Sequence, residues 1–146
     1  MNSKQFLQIG GVILVLVGIL GMVKVIGPTA EDSIFGEAWW FDNAENWAHL
    51  ILGIVALILA YATGPSLQRP VVMVLGILGV LVGLYSLYWA DFLGANLENP
   101  ADTLLHIVIG AWALWASWKS QASSVMAGAP MGGGMSSGGV SPGGGL

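Results

Sequence analysis

The chain holds two histidines, and each follows an acid by four residues: Glu45 and His49, then Asp102 and His106. On a helix this spacing puts each acid and its histidine on one face. A carboxylate one turn from an imidazole can orient it, share a proton with it, or join it around a metal. If the two imidazoles meet, they could ligate one haem iron or one divalent metal, with the acids as direct or outer ligands. The spacing is not the Glu-x-x-His of di-iron bundles, and zinc would need all four groups to converge. The simpler chemistry is a hydrogen bond from each imidazole to its own acid or to a backbone carbonyl, which fixes helix packing. That reading is preferred here, with no cofactor expected. Haem or a divalent metal on His49 and His106 is the alternative. A proton- or ion-conducting pair, in a small transporter or channel, is the third.

Both histidines must be carried on elements of unusual composition. Hydrophobic residues make up 55% of the 146 positions and charged residues 8%, where soluble domains carry about 25% charged. Four basic and eight acidic side chains cannot cover a soluble surface of this size. The composition points to an integral membrane protein whose first partner is the lipid bilayer. A homo-oligomer or a larger membrane complex is a further possibility. Nucleic acid is excluded as a partner by the lack of a basic surface. Cysteine is absent, which removes disulfides and thiol nucleophiles. There is no P-loop, dinucleotide-binding or Ser–His–Asp pattern, and no enzyme is expected.

Four apolar segments stand out: Phe6 to Ile26, about Trp47 to Ala62, Val71 to Ala90, and about Thr103 to Trp118. A helix crosses the hydrocarbon core in roughly 20 residues, and backbone in lipid must satisfy its own hydrogen bonds. The expected fold is therefore all-α, an integral membrane four-helix bundle over residues 1–119. The first segment exceeds the roughly 7–15 residues of a signal-peptide core and reads as a retained span. From Ser120 onward the sequence is rich in Gly, Ser, Ala, Met and Pro and has no charged side chain. A disordered cytoplasmic tail is expected over 120–146.

The charges give an orientation. Lys4, Arg69 and Lys119 lie at one set of segment ends. Glu31, Asp32, Glu37, Asp42, Glu45, Asp91, Glu98 and Asp102 all lie at the other. Basic loops stay cytoplasmic, which places both termini inside a bacterial plasma membrane and the acidic loops outside. Lys24 alone falls within an apolar segment. It either snorkels to the interface or pairs with Glu45 or Asp102.

The second and fourth segments also match each other. Residues 42–53 align with 99–110, pairing Ala44 with Ala101, Glu45 with Asp102, His49 with His106 and Gly53 with Gly110. The first and third add Gly18-Ile-Leu-Gly21 and Gly76-Ile-Leu-Gly79, one residue off that register. In that register Val82 is the counterpart of Lys24. The chain reads as two repeats, about 6–64 and 71–119, of one two-helix unit. An even number of spans per unit gives both the same orientation. Asp42 is the expected N-cap of the second helix with Glu45 at N3. Asn99 is the expected N-cap of the fourth, with Pro100 at N1 and Asp102 at N3. Gly79 with Gly83, and Ala56 with Ala60, have the spacing for close helix contact.

The paired starts Asp42 to Gly53 and Asn99 to Gly110 resemble those of DUF4383, a bacterial family of four-span membrane proteins of unknown function. The fourth-segment copy is the closer match, since Asp42 replaces an Asn in the other. The resemblance covers the four segments and not the tail. It implies a bacterial four-helix membrane protein and brings no activity, ligand or catalytic residue. A weaker likeness, in architecture alone, is to DoxX-like four-span proteins.

Overall fold

The structure, a computed structural model, describes residues 1–127, with side chains described as far as Ser120. It is mainly helical, as expected. The helices are α1 (Ser3–Met22), α2 (Asn43–Ala62), α3 (Pro65–Ser86) and α4 (Ala101–Ala127). Two short 3-10 turns, Ala30–Asp32 and Gly36–Ala38, interrupt the α1–α2 connection. A small antiparallel hairpin, β1 (Asp91–Phe92) and β2 (Ala95–Asn96), lies within the α3–α4 connection. Among the described residues, α1, α2 and α3 are long and apolar enough to cross a membrane. Helix α4 continues through Ala127, past the boundary expected at residue 119. The remainder of the expected tail, 128–146, lies outside the described residues.

Local chemistry explains the helix ends. Asn2 and Gln5 close a capping box at the start of α1, and Asp42 and Glu45 close one at the start of α2. Helix α1 stops at Met22, four residues short of the end of its apolar segment. Lys24 takes the left-handed conformation with φ 66°, and Val25 N–H bonds back to the Leu20 carbonyl at 3.0 Å. This is the wrapped C-terminus usually built on glycine.

The helices pack as two antiparallel pairs, α1 with α2 and α3 with α4, and glycines set how closely. A Cβ on Gly53 would lie 2.7 Å from Val15 N and 2.8 Å from Gly11 O. A Cβ on Gly110 would lie 2.7 Å from Val80 N and 2.8 Å from Gly76 O. The same match holds along both pairs. Gly11 meets Leu57 as Gly76 meets Leu114, and Gly18 meets Leu50 as Gly83 meets Ile107. Matching positions are 57 residues apart on α2 and α4 and 65 apart on α1 and α3. The contacts thus put Gly76 in the place of Gly11, not of Gly18 as the shared Gly-Ile-Leu-Gly string suggests. The difference is seven residues, close to two helical turns, so the same face is presented in either register. In the contact register the counterpart of Lys24 is Trp89, not Val82. Gly79 and Gly83 also face α4, so this GxxxG pair serves contact within the chain.

Between the two pairs, an apolar core fills one half of the molecule. It contains Phe6, Leu7, Ala56, Ala60, Val72, Ala113 and Ala116, with the Phe6 and Trp112 rings edge to face at 4.9 Å. Beyond this core, at the end that carries Lys4, Arg69 and Lys119, buried polar groups close the helices. Ser3 N–H donates to Ser120 Oγ at 2.8 Å, and Gln68 Nε2 donates to Thr63 O at 2.8 Å. The other half, toward the acidic loops, buries polar side chains instead: Glu45, Asn46, Ser86, Asp102 and Thr103.

Candidate functional site

The site builds up from the starts of α2 and α4. At α2, Asp42 Oδ1 accepts from Glu45 N–H at 2.8 Å, and Glu45 Oε2 accepts from Asp42 N–H at 3.0 Å. The capping box is the one expected from the sequence. It leaves Glu45 only 3% exposed, with Oε1 free of any hydrogen-bond partner.

At α4 the expected cap is corrected. The helix begins at Ala101, and its first bond runs from Leu104 N–H to the Pro100 carbonyl at 3.0 Å. Asn99 therefore lies outside the helix and Pro100 takes the N-cap place, so Asp102 is not at N3. Its carboxylate reaches further back, and Asp102 Oδ2 accepts from Glu98 N–H at 2.7 Å. In return Asp102 N–H donates to the Glu98 carbonyl at 2.8 Å. The shorter Asp side chain thus satisfies a donor four residues upstream, where Glu45 satisfies one three residues upstream.

Two further bonds cross between the helix pairs. Trp39 Nε1, from the α1–α2 connection, donates to Asp102 Oδ1 at 2.9 Å. Asn96 N–H, on β2, donates to Asp42 Oδ2 at 2.8 Å. Each acid at a helix start thus holds a donor from the other pair's connecting segment.

The four expected site residues are brought together electrostatically. Glu45 lies within reach of the Asp102, Asp42 and Glu98 charges, and His49 within reach of His106 and Asp102. Neither histidine bonds to its acid's carboxylate. His106 Nδ1 lies 2.8 Å from the Asp102 carbonyl oxygen. A carbonyl only accepts, so Nδ1 carries a proton and donates it. His49 packs edge to face on Phe41, with ring centroids 5.1 Å apart; the Glu45 backbone carbonyl lies near its ring, but Nδ1 makes no hydrogen bond of full geometry. Among the described residues, no three His, Asp or Glu side chains converge as metal ligands.

Lys24 is not part of the site. Its Nζ pairs with Asp32 at 3.4 Å, in its own connecting segment, and its side chain is 68% exposed. The pairing with Glu45 or Asp102 weighed from the sequence does not form, because α1 ends before Lys24 and turns it outward.

Glu98 was not singled out by the sequence. Burial and the adjacent Asp102 charge push its carboxyl from 4.5 up to about 7. Its Oε1 accepts from Asn96 Nδ2. Its Oε2 is buried without a donor, although the Asp102 carboxyl lies within hydrogen-bonding reach. Trp39 and Asn96 were also missed, since their bonds depend on the path of two loops. Asn46 and Thr103 could have been found: they occupy one place in the 42–53 and 99–110 alignment, and both are buried. No known protein family, curated protein or solved structure matches the chain.

Proposed function

We propose that this chain is a four-span integral membrane protein of the bacterial plasma membrane, of the DUF4383 kind, and not an enzyme. It has a structural, accessory or binding role centred on Glu45, His49, Asp102 and His106. Helix α4 is the fourth span. Both termini are cytoplasmic, and two parallel-oriented two-helix repeats are related by an axis along the membrane normal.

The inverted distribution of polarity carries this reading. Large apolar side chains such as Ile13, Leu16, Ile58, Val74, Leu81 and Val108 are exposed along the helices, while Glu45, Asn46, Gln68 and Asp102 are buried. In water this would place apolar surface outside and charge inside, against the driving force of folding. In lipid it is the expected arrangement, with polar groups turned to the bundle interior. The matched contacts at offsets of 57 and 65 residues support the two repeats, and the three bases at one end support the orientation.

The test is cysteine accessibility, which a cysteine-free chain permits without background. In intact cells, an impermeant maleimide is expected to label Glu37→Cys and to spare Ser66→Cys until the membrane is broken. Labelling of Ser66→Cys from outside would overturn the orientation. Release of the protein from membranes by carbonate would overturn the membrane reading itself.

A further inference from the structure

We propose that Glu98 and Asp102 bind one proton between them, and that this proton holds a clamp closed over the buried Glu45, His49 and His106. The proposal rests on reading those residues with Asp102 as one polar site, and extends it to how the site is opened.

The geometry calls for the proton. Asp102 is fully buried, and each of its carboxylate oxygens already accepts a bond, from Glu98 N–H and from Trp39 Nε1. Glu98 Oε2 is buried with no donor, and the group within its reach is the Asp102 carboxyl. Two carboxylates are acceptors only, and side by side they repel. One proton converts the contact into a strong charge-assisted hydrogen bond. A second buried carboxyl faces the same place: Glu45 is 3% exposed, its Oε1 has no partner, and it feels the charges of Asp102 and Glu98.

Every element around the pair bears on this balance. Helix α2 contributes Glu45, the Asp42 cap and His49, and α4 contributes His106, held to the Asp102 carbonyl. The α1–α2 connection contributes the neutral Trp39, and β2 the neutral Asn96. The Lys24–Asp32 pair lies apart, on the exposed side of its own connection. Glu31, Glu37 and Asp91 are exposed. Burial and the adjacent Asp102 charge therefore favour the protonated form of Glu98, and its carboxyl is pushed up to about 7.

The same residues are the clamp. Trp39 to Asp102 and Asn96 to Asp42 tie each helix pair's connection to the other pair's helix start. Glu98 stands between them, bonded to Asn96 on one side and to Asp102 on the other. The apolar core lies in the opposite half of the molecule, so these crossed bonds hold the acidic half together. Loss of the shared proton sets two buried charges against each other at the point where the bonds meet. The connections then loosen, and the imidazoles are opened to the acidic side.

Two measurements on the full chain in nanodiscs test this. Infrared difference titration with 13C-labelled glutamate is expected to show a carboxylic-acid C=O band lost with a midpoint near 7, and absent in Glu98→Gln. Amide hydrogen exchange, corrected for intrinsic rates, is expected to show protection at Asn96 and Glu98 falling by up to about tenfold per pH unit as pH rises toward the midpoint, and levelling off above it. Glu98→Gln keeps a neutral side chain and is expected to hold protection constant over this range. A parent chain whose Glu98 ionises in the ordinary carboxylate range overturns the shared proton. Equal loss of protection in parent and Glu98→Gln overturns the clamp. If Glu98→Gln fails to fold, the parent decides: protection independent of pH between roughly 5 and 7 also overturns it.

Discussion

Trp39 and Asp102 stand 63 residues apart in sequence and are joined indole to carboxylate at 2.9 Å. The bond has a counterpart in Asn96 N–H to Asp42 at 2.8 Å. Each acid therefore does two jobs: it satisfies backbone at a helix start, and it fastens the other helix pair. Trp39→Phe keeps the ring and removes the donor to a buried carboxylate. Its expected cost is about 1.5–3 kcal/mol, the scale of hydrogen bonds to charged groups. Asp102→Ala should cost more, because Glu98 N–H loses its acceptor as well. Thermal unfolding in detergent of both single variants and the double checks this. The double variant should cost less than the two singles combined, since the bond can be lost only once.

The pH dependence of stability has a definite sign. Glu98 titrates at 4.5 when free and at about 7 in the folded chain. The folded state therefore holds more protons between these values than the unfolded state. The stabilisation from this group is full below 4.5 and is lost as pH rises through 7. The melting temperature of the parent is expected to fall between about pH 4.5 and 7 and to flatten above, the window in which the folded state holds the extra proton. The difference between parent and Glu98→Gln isolates this residue from the other acids and should follow the same midpoint.

The sequence disclosed what local chemistry decides. The Asp42–Glu45 capping box follows from residue types three apart, and the common face of acid and histidine follows from helix geometry. The α1–α3 register was misread because a string match weighs Ile and Leu equally with Gly. Only the glycines are constrained by backbone contact, and they pair Gly11 with Gly76. The start of α4 was misplaced because Asn-Pro looks like a cap, while the bonds that set it involve Glu98, upstream of the motif. The crossed bonds of Trp39 and Asn96 were not legible, because they depend on tertiary folding of two connections.

Glycine substitution separates backbone contact from open space. Gly53→Ala and Gly110→Ala each place a Cβ 2.7–2.8 Å from backbone of the partner helix. Backbone cannot step aside as a side chain can, so each is expected to cost about 1–3 kcal/mol. The two costs should be close to equal, because the surrounding atoms correspond. By contrast, a Cβ at Gly10 meets only the Phe6 ring, at 4.0 Å. Gly10→Ala is expected to stabilise by up to about 1 kcal/mol through helix propensity. Detergent or urea denaturation of the three variants distinguishes these outcomes.

Lys24 holds a left-handed backbone at φ 66°, where glycine normally ends a helix. A left-handed L-residue costs roughly 1–2 kcal/mol, and the exposed pair with Asp32 returns less than about 1 kcal/mol. Lys24→Gly removes the strain but adds freedom to the unfolded chain. It is expected to be neutral or stabilising by about 0.5 kcal/mol. Lys24→Val, β-branched in the same conformation, is expected to destabilise by about 1 kcal/mol or more. If both variants lose stability equally, the ion pair rather than the backbone governs this turn.

Gly21 and Asn46 fill the place that Ser86 and Thr103 fill in the other pair. A Cβ on Gly21 would fall on the Asn46 side-chain amide, so the large amide requires a residue without a side chain opposite. In the other pair, the smaller Thr103 leaves room for Ser86, and their hydroxyls bond at 2.6 Å. Gly21→Ser alone is therefore expected to destabilise by about 1–3 kcal/mol through overpacking. Asn46→Thr alone should also destabilise, by opening space and losing the Nδ2 bond to the Phe41 carbonyl. The double variant installs the Ser–Thr pair in its matching backbone frame and is expected to recover much of the loss. A double-mutant cycle on thermal unfolding measures the coupling, expected to be favourable by about 1 kcal/mol or more. Additive losses would show that the matched glycine contacts do not extend to this buried polar layer.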